Sequence, residues 1–388
     1  MNPVKINVFI IDQNVMMRRI LSNILLNESG VSIPCSIGNA SFEDLAAKLE
    51  AYQPALLFLG VDDLDSDEMN LFYQLRDARP ELHIVLMTHL NTKGAAVALN
   101  GLKHGAVDYI TKPENRFGLL FADRHFHKRV IPILKAVPDM CRKYSAGISD
   151  KRADRVVSKE FFPNVGQMNP DNIDIIIFGG CLGGVSSLYK IIPSLPGWLQ
   201  VPVVVVQHMP KVYTRELSSD LDKESNLNVK EATDKCSLVP GTVYIAPGGY
   251  HSVVKNDSGR KQLVLHKGPK EHKCRPSIDV LLRSIVQEYG GNILGILLSG
   301  MGNDGVLGAL TVLEHGGIIR LESQESALVS ELSKKVKLLN SEIKEVDASR
   351  MSLDIVNLMN QFTLQKITDS HSNRFTITKE YGPANNKP

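Results

Sequence analysis

The chain has no apolar run of the ~18 residues that a membrane-spanning helix needs. It has a single tryptophan and no CxxC pair among its five cysteines, Cys35, Cys141, Cys181, Cys236 and Cys274. An odd, widely spaced set of this kind argues against a disulfide framework and against a structural zinc site, so the thiols read as reduced. Charge of one sign is missing as well. With 44 Lys and Arg against 42 Asp and Glu, the formal net charge is only +2. Nothing in that balance calls for nucleic acid or a membrane surface. There is no P-loop, and the glycine-rich turn at 179–184 runs GGxxGG rather than GxGxxG, so no nucleotide cofactor is called for. The N-terminus MNPVKINVFIID enters a strand without a basic region, apolar core and cleavage site. The expectation is a cytoplasmic chain with no cofactor.

What the sequence does have is strand–helix alternation, twice over. In residues 1–130 the strand candidates are Ile6–Ile11, Val31–Ser36, Ala55–Leu59, Ile84–Thr88 and Ala106–Thr111. Amphipathic segments (Met16–Leu26, Phe42–Leu49, Met69–Leu75, Ala95–Leu102) separate them. Continuous apolar strands between helices imply a parallel sheet covered on both faces. Residues 131–170 are polar and mostly basic, and read as a linker. Alternation resumes over 171–365. Strands are expected at Ile173–Phe178, Val203–Gln207, Thr242–Ile245, Leu263–His266, Ile293–Ser299 and Ile318–Leu321. Helices are expected at Ser186–Ile192, Thr214–Leu221, Ser277–Tyr289 and Val306–His315. The tail, 366–388, is polar and reads as disordered. The expected fold is α/β: two doubly wound parallel-sheet domains, a flavodoxin-like one followed by a larger Rossmann-like one.

Three residues of the second half share one context. Cys181 follows IIIFGG, His208 follows VVVVQ and Asp304 follows ILLSGMGN, each just past the carboxyl end of an apolar strand. That edge is where open α/β sheets bind ligands. A nucleophile, an imidazole and a carboxylate meeting there is a recipe for covalent acyl transfer. Backbone N–H groups of the glycine-rich turns would receive the oxyanion. Each residue also has an ordinary reading: a small core cysteine, a strand-end histidine, a turn or helix-capping aspartate.

The second half resembles the chemotaxis receptor protein-glutamate methylesterase family. The matching pieces are QHMP leading into TREL, PGTVYIAPGGYH, RPSIDVLLRS and GILLSGMGNDGVLGAL. The resemblance implies hydrolysis of glutamyl methyl esters and deamidation of glutamines on methyl-accepting chemoreceptors. A histidine kinase or another chemotaxis protein would be a further partner. By position, the family's nucleophile falls on Cys181, its base on His208 and its carboxylate on Asp304, with the Met301 backbone helping to form the oxyanion hole. There are departures. The family's Gly-Ala-Ser-Thr-Gly-Gly turn is here Gly179-Gly180-Cys181-Leu182-Gly183-Gly184, with cysteine in place of serine. SALVSELSKKVKLLN replaces a Gly-Met-Pro after the last strand.

The first half resembles a response-regulator receiver in INVFIIDQN, in Thr88 and in HGAVDYITKP with Lys112. Of its phosphate pocket, Asp12, Thr88 and Lys112 remain. Gln13 stands where a second acid is needed for Mg²⁺, and Gly60 stands where the phosphoacceptor is expected. Asp62 is a poor substitute acceptor, because it would need a shifted strand end. Asp63, Asp65 and Asp67 have EF-hand spacing, but Glu68 and Gln74 occupy the sixth and twelfth places, so no calcium site is expected. The expectation is a pseudo-receiver whose face around Tyr109 binds a partner or covers the second domain. Two readings of the whole chain stay open: a hydrolase working through Cys181, or a non-catalytic relative that binds receptors.

Overall fold

A computed structural model describes residues 6–113, 116–145 and 173–360, with the backbone alone for 116–125. The first unit holds strands β1 (Ile6–Ile11), β2 (Val31–Ile37), β3 (Leu56–Gly60), β4 (His83–His89) and β5 (Asp108–Lys112). Its helices are α1 (Val15–Leu26), α2 (Phe42–Tyr52), α3 (Asp67–Ala78), α4 (Thr92–Lys103) and α5 (Arg116–Ser145). The sheet is parallel in the order β2-β1-β3-β4-β5. That order is flavodoxin-like, with its crevice at the carboxyl ends of β1 and β3. β3 and nearly all of β4 are buried, which is why they read as unbroken apolar runs.

The sequence pattern ends this unit at residue 130, but α5 continues through 131–145 of the stretch read as a linker. Val130, Ile131, Ile133, Leu134, Val137 and Met140 keep helical spacing and are buried. Pro132 and Pro138, inside the helix, disguise the pattern. The rest of the expected linker and the expected disordered tail lie outside the described residues.

The second unit runs β6 (Ile175–Gly180), α6 (Gly184–Ile191), β7 (Val203–Gln207), α7 (Lys211–Glu224), β8 (Asn228–Glu231), β9 (Cys236–Ser237), β10 (Thr242–Ile245), β11 (His251–Asp257) and β12 (Arg260–His266). It continues with α8 (Ile278–Tyr289), β13 (Ile293–Leu297), α9 (Val306–Glu314), β14 (Ile318–Glu322), α10 (Glu331–Leu339) and β15 (Glu345–Val346). The main sheet is parallel, in the order β15-β14-β13-β6-β7-β10-β8. From β6 the chain builds outward through β7 on one side, and later through β13 on the other. β6 therefore marks the switch point, and its carboxyl end opens into the crevice. The strand expected at Leu263–His266 belongs elsewhere, to an antiparallel sheet of β11, β12 and β9.

The two units meet along β4, β5 and α4 of the first and α7 of the second. Tyr109 stacks on Tyr213 with ring centroids 4.6 Å apart and an interplanar angle of 11°. The Tyr213 hydroxyl donates to the His89 carbonyl at 2.9 Å, so it accepts from Thr88 Oγ1, also at 2.9 Å. Lys103 pairs with Asp220 at 2.8 Å and Glu224 at 2.6 Å. Val130, Ile133 and Val137 of α5 share a core cluster with Leu182 and Leu328, and Cys181 and Met301 pack against it. Among the described residues no helix is long and apolar enough to cross a membrane.

Candidate active site

Cys181 is the first residue after β6, at the switch point. Its N–H donates to the Ser299 carbonyl at 3.1 Å, and its own carbonyl accepts from Gln207 Nε2 at 2.6 Å and from Gly184 N–H at 3.2 Å. The glycines around it are there for space. A Cβ on Gly180 would come 2.5 Å from Gln207 Oε1, and one on Gly300 would come 3.1 Å from the Cβ of Cys181. Gly183 adopts φ +82°, where a side chain is strained, and a Cβ there would also strike Leu328 at 2.5 Å. Ser299 Oγ ties the turn down through the Leu182 carbonyl at 2.7 Å.

His208 follows β7, with its N–H on the Gly180 carbonyl at 3.1 Å. Its Nε2 lies 2.7 Å from Asp304 Oδ2. Asp304, reached from β13 through the Gly-Met-Gly-Asn turn, is 3% exposed, and its carboxylate is saturated. It accepts from Ser277 Oγ at 2.6 Å, Ile278 N at 2.9 Å and Asp279 N at 3.1 Å, besides the imidazole. It therefore sits on the N-terminus of α8, where a negative charge is favoured.

The remaining ring nitrogen, Nδ1, faces sulfur. Cys274 Sγ lies 3.6 Å from it, and His208 is near enough to Cys181 to act on its thiol electrostatically. Burial works against charge on all three groups, but the partners outweigh it. Bonding to His208 and the charges of His208 and Arg129 bring the Cys181 thiol below its ordinary pKa. Asp304, Cys181 and Cys274 hold the His208 pKa well above its ordinary value. His208 and the donors at α8 keep Asp304 below the usual carboxylate range. The pair is biased toward thiolate and imidazolium, the form in which a cysteine attacks carbonyl carbon. The Met301 N–H makes no hydrogen bond among the described residues, and Met301 is partly buried beside this turn.

The expected triad residues thus come together, along with the glycine turn and Met301. Four neighbours escape the sequence reading: Cys274, Ser277, Gln207 and Arg129. Ser277 has a local signal, as the serine three residues before Val280 whose Oγ caps α8. Arg129 has none, because it arrives from the first unit.

In the first unit Asp12 and Lys112 remain together, with Lys112 Nζ 3.0 Å from Asp12 and 2.6 Å from Asp62. Thr88, expected with them, is bonded to Tyr213 instead. A Cβ on Gly60 would lie 2.0 Å from Asp12 Oδ2, so the acceptor's place is filled by the neighbouring acid. Two groups could offer donors to a metal among the described residues: His208, Cys274 and Asp304, and Glu271, His272 and Asp279.

The sequence model of the family described as CheB methylesterase matches residues 176–355. The protein-glutamate methylesterase/protein-glutamine glutaminase of Caldanaerobacter subterraneus subsp. tengcongensis is 33% identical over 333 residues, covering 84% of this chain and 89% of that one. Its counterpart in Trichodesmium erythraeum is 30% identical over 326 residues, covering 84% and 91%. Among solved structures, the CheB methylesterase catalytic domain of Thermotoga maritima is 36% identical, with a TM-score of 0.47, covering 48% of this chain and 98% of that one.

Proposed function

Because the chain belongs to the CheB methylesterase family, we propose that it hydrolyses glutamyl methyl esters and glutamine amides of chemoreceptors through Cys181, His208 and Asp304. The observation that carries the reading is the His208 ring. One nitrogen is bound to a saturated carboxylate, and the ring acts on the thiol at the end of β6, lowering its pKa. The Cys181 thiolate attacks the side-chain carbonyl carbon. The Met301 N–H, which makes no hydrogen bond among the described residues, would receive the developing oxyanion. His208 gives its proton to the departing methoxide or amide nitrogen, releasing methanol or ammonia and leaving a glutamyl thioester. The same ring then takes a proton from water, which attacks the thioester and returns the thiolate. Asp304 keeps the ring oriented and offsets its charge throughout.

The first unit acts as the cover of this site. Its α5 packs against the side where Cys181 and Met301 lie, and its Asp12–Lys112 pocket has lost the acceptor at Gly60. Partner contact with that unit, by a kinase or another chemotaxis protein, is the expected control.

The test is methanol release from methylated receptor membranes. Wild type should release methanol, and Cys181→Ala and His208→Ala should not. If wild type and both variants give the same background while receptor capture persists, the chain is a non-catalytic receptor-binding relative instead.

A further inference from the structure

We propose that Glu271, His272 and Asp279 form a binding site for a divalent transition-metal cation of the zinc class. The three ligand atoms lie within 4.8 Å of one another. Asp279 is fully buried in the first turn of α8. Its Oδ1 accepts from the Gly308 N–H at 2.6 Å, and its Oδ2 has no hydrogen-bond partner. A buried carboxylate oxygen without a donor is costly, so it calls for a cation or a proton.

The nearest cationic candidate is the His272 ring, whose Nε2 is 3.2 Å from that oxygen. The ring is within ion-pair range, yet its N–H is not directed at the oxygen, which is why Oδ2 stays unbonded. Such an off-line pair is what two neighbouring ligands of one metal look like. An imidazole nitrogen and a carboxylate oxygen, each about 2.0–2.1 Å from zinc at a tetrahedral angle, sit about 3.4 Å apart.

Outer contacts already orient both acids. Gly308 fixes Asp279, and Arg283 holds Glu271 through bonds of 2.8 and 2.6 Å. Hydrogen-bonded carboxylate ligands of this kind are the rule in metal sites. Around the site Arg283 is the cation, and Glu271, Asp279 and the neighbouring Asp304 are the acids. One imidazole with two carboxylates suits zinc and similar cations rather than soft, all-thiolate chemistry.

The turn that carries two of the ligands is unusual. Glu271 and Cys274 pair across it, and His272 and Lys273 at its tip both adopt left-handed backbone, at φ +50° and +66°. Positions of that kind favour glycine or asparagine. Here a histidine is held there, with its ring over Asp279. The same turn presents Cys274 to His208 Nδ1 at 3.6 Å. A bound cation would pin the turn to α8 and hold that thiol beside the ring. This last consequence rests on His208 being the base proposed above; the metal site does not.

The test uses the full-length, reduced, metal-stripped chain. Zn²⁺ alone is titrated calorimetrically, and Co²⁺ is followed by its visible absorption. One cation should bind per chain, with a cobalt spectrum free of thiolate charge transfer. His272→Ala, on an exposed turn, should weaken binding by at least about tenfold, the lower end of what outer-shell changes alone produce. Glu271→Gln should act in the same direction. Asp279→Asn should abolish binding, with circular dichroism showing whether α8 is intact. Unchanged affinity in His272→Ala overturns the proposal, as does a thiolate charge-transfer band, which would assign the cation to Cys274 and His208. Neither readout requires turnover, so this proposal and the hydrolase reading fail separately.

Discussion

Asp304→Asn is the substitution that most directly tests how the site is built. The native carboxylate accepts four hydrogen bonds, two at each oxygen. Asparagine keeps one oxygen and gains an NH₂ group. If the NH₂ replaces Oδ1, it faces the Asp279 N–H, donor against donor. If it replaces Oδ2, it faces the Ile278 N–H and donates to His208 Nε2. That second orientation forces the imidazole proton onto Nδ1, the nitrogen that must take the proton of the thiol. Either way one buried donor loses its acceptor, at about 1–3 kcal/mol. In a unit of this size that corresponds to roughly 2–4 °C in Tm per kcal/mol. The chemical loss is larger. The equivalent change in a serine-protease triad costs about 10⁴ in kcat, or about 5.4 kcal/mol at 1.36 per decade. The assays are thermal unfolding, methanol release, and the pH dependence of Cys181 alkylation. The variant should melt earlier and lose methanol release. Its alkylation midpoint should move up, because the imidazolium that stabilises the thiolate is no longer held. A variant that melts with the wild type and alkylates along the same pH curve would refute both the helix-cap and the relay arguments.

In the wild type, the pH midpoint for iodoacetamide labelling of Cys181 should fall below the ~8.5 of a free thiol, because His208 and Arg129 outweigh burial and favour the thiolate. Cys35 and Cys141 should stay slow there, since burial pushes both thiols up; mass mapping of the label checks the order. Arg129→Ala should shift the Cys181 midpoint upward, a change that a merely structural role in α5 would not produce. Gly60→Ala should destabilise the first unit by about 1–3 kcal/mol through overpacking against Asp12, read in a denaturant titration. Tyr213→Phe should cost about 1–3 kcal/mol by leaving Thr88 and the His89 carbonyl unpaired between the units, and should speed Cys181 alkylation at every pH.

Much of the architecture is legible in the sequence because buried parallel strands announce themselves. VVVVQ and TVYI fall on β7 and β10 to the residue. The pieces that escape are those that lack such a run. β11 and β12 are partly exposed and carry polar residues toward their shared turn, so only the apolar end of β12 shows. α10 is short and basic, with Leu338 and Leu339 exposed, and breaks no pattern strongly enough to be seen. Cys181, His208 and Asp304 are legible because each stands just past a strand that is itself legible. Cys274 and Arg129 are not, because they reach the site from a strained turn and from another unit, and no local spacing encodes either approach. Thr88 shows the opposite failure: its motif is intact, while its hydroxyl is committed to Tyr213.

The Tyr213 contact has a consequence for signalling. Its hydroxyl and ring occupy Thr88, the His89 carbonyl and the face of Tyr109 at once. Any protein that reads that surface of the first unit must compete with α7 for it. By linkage, every unit of affinity such a competitor gains is spent equally on separating the two halves of the chain. On the covering role proposed for the first unit, recruitment of such a competitor and exposure of the thiol would be a single equilibrium, set by the competitor's concentration.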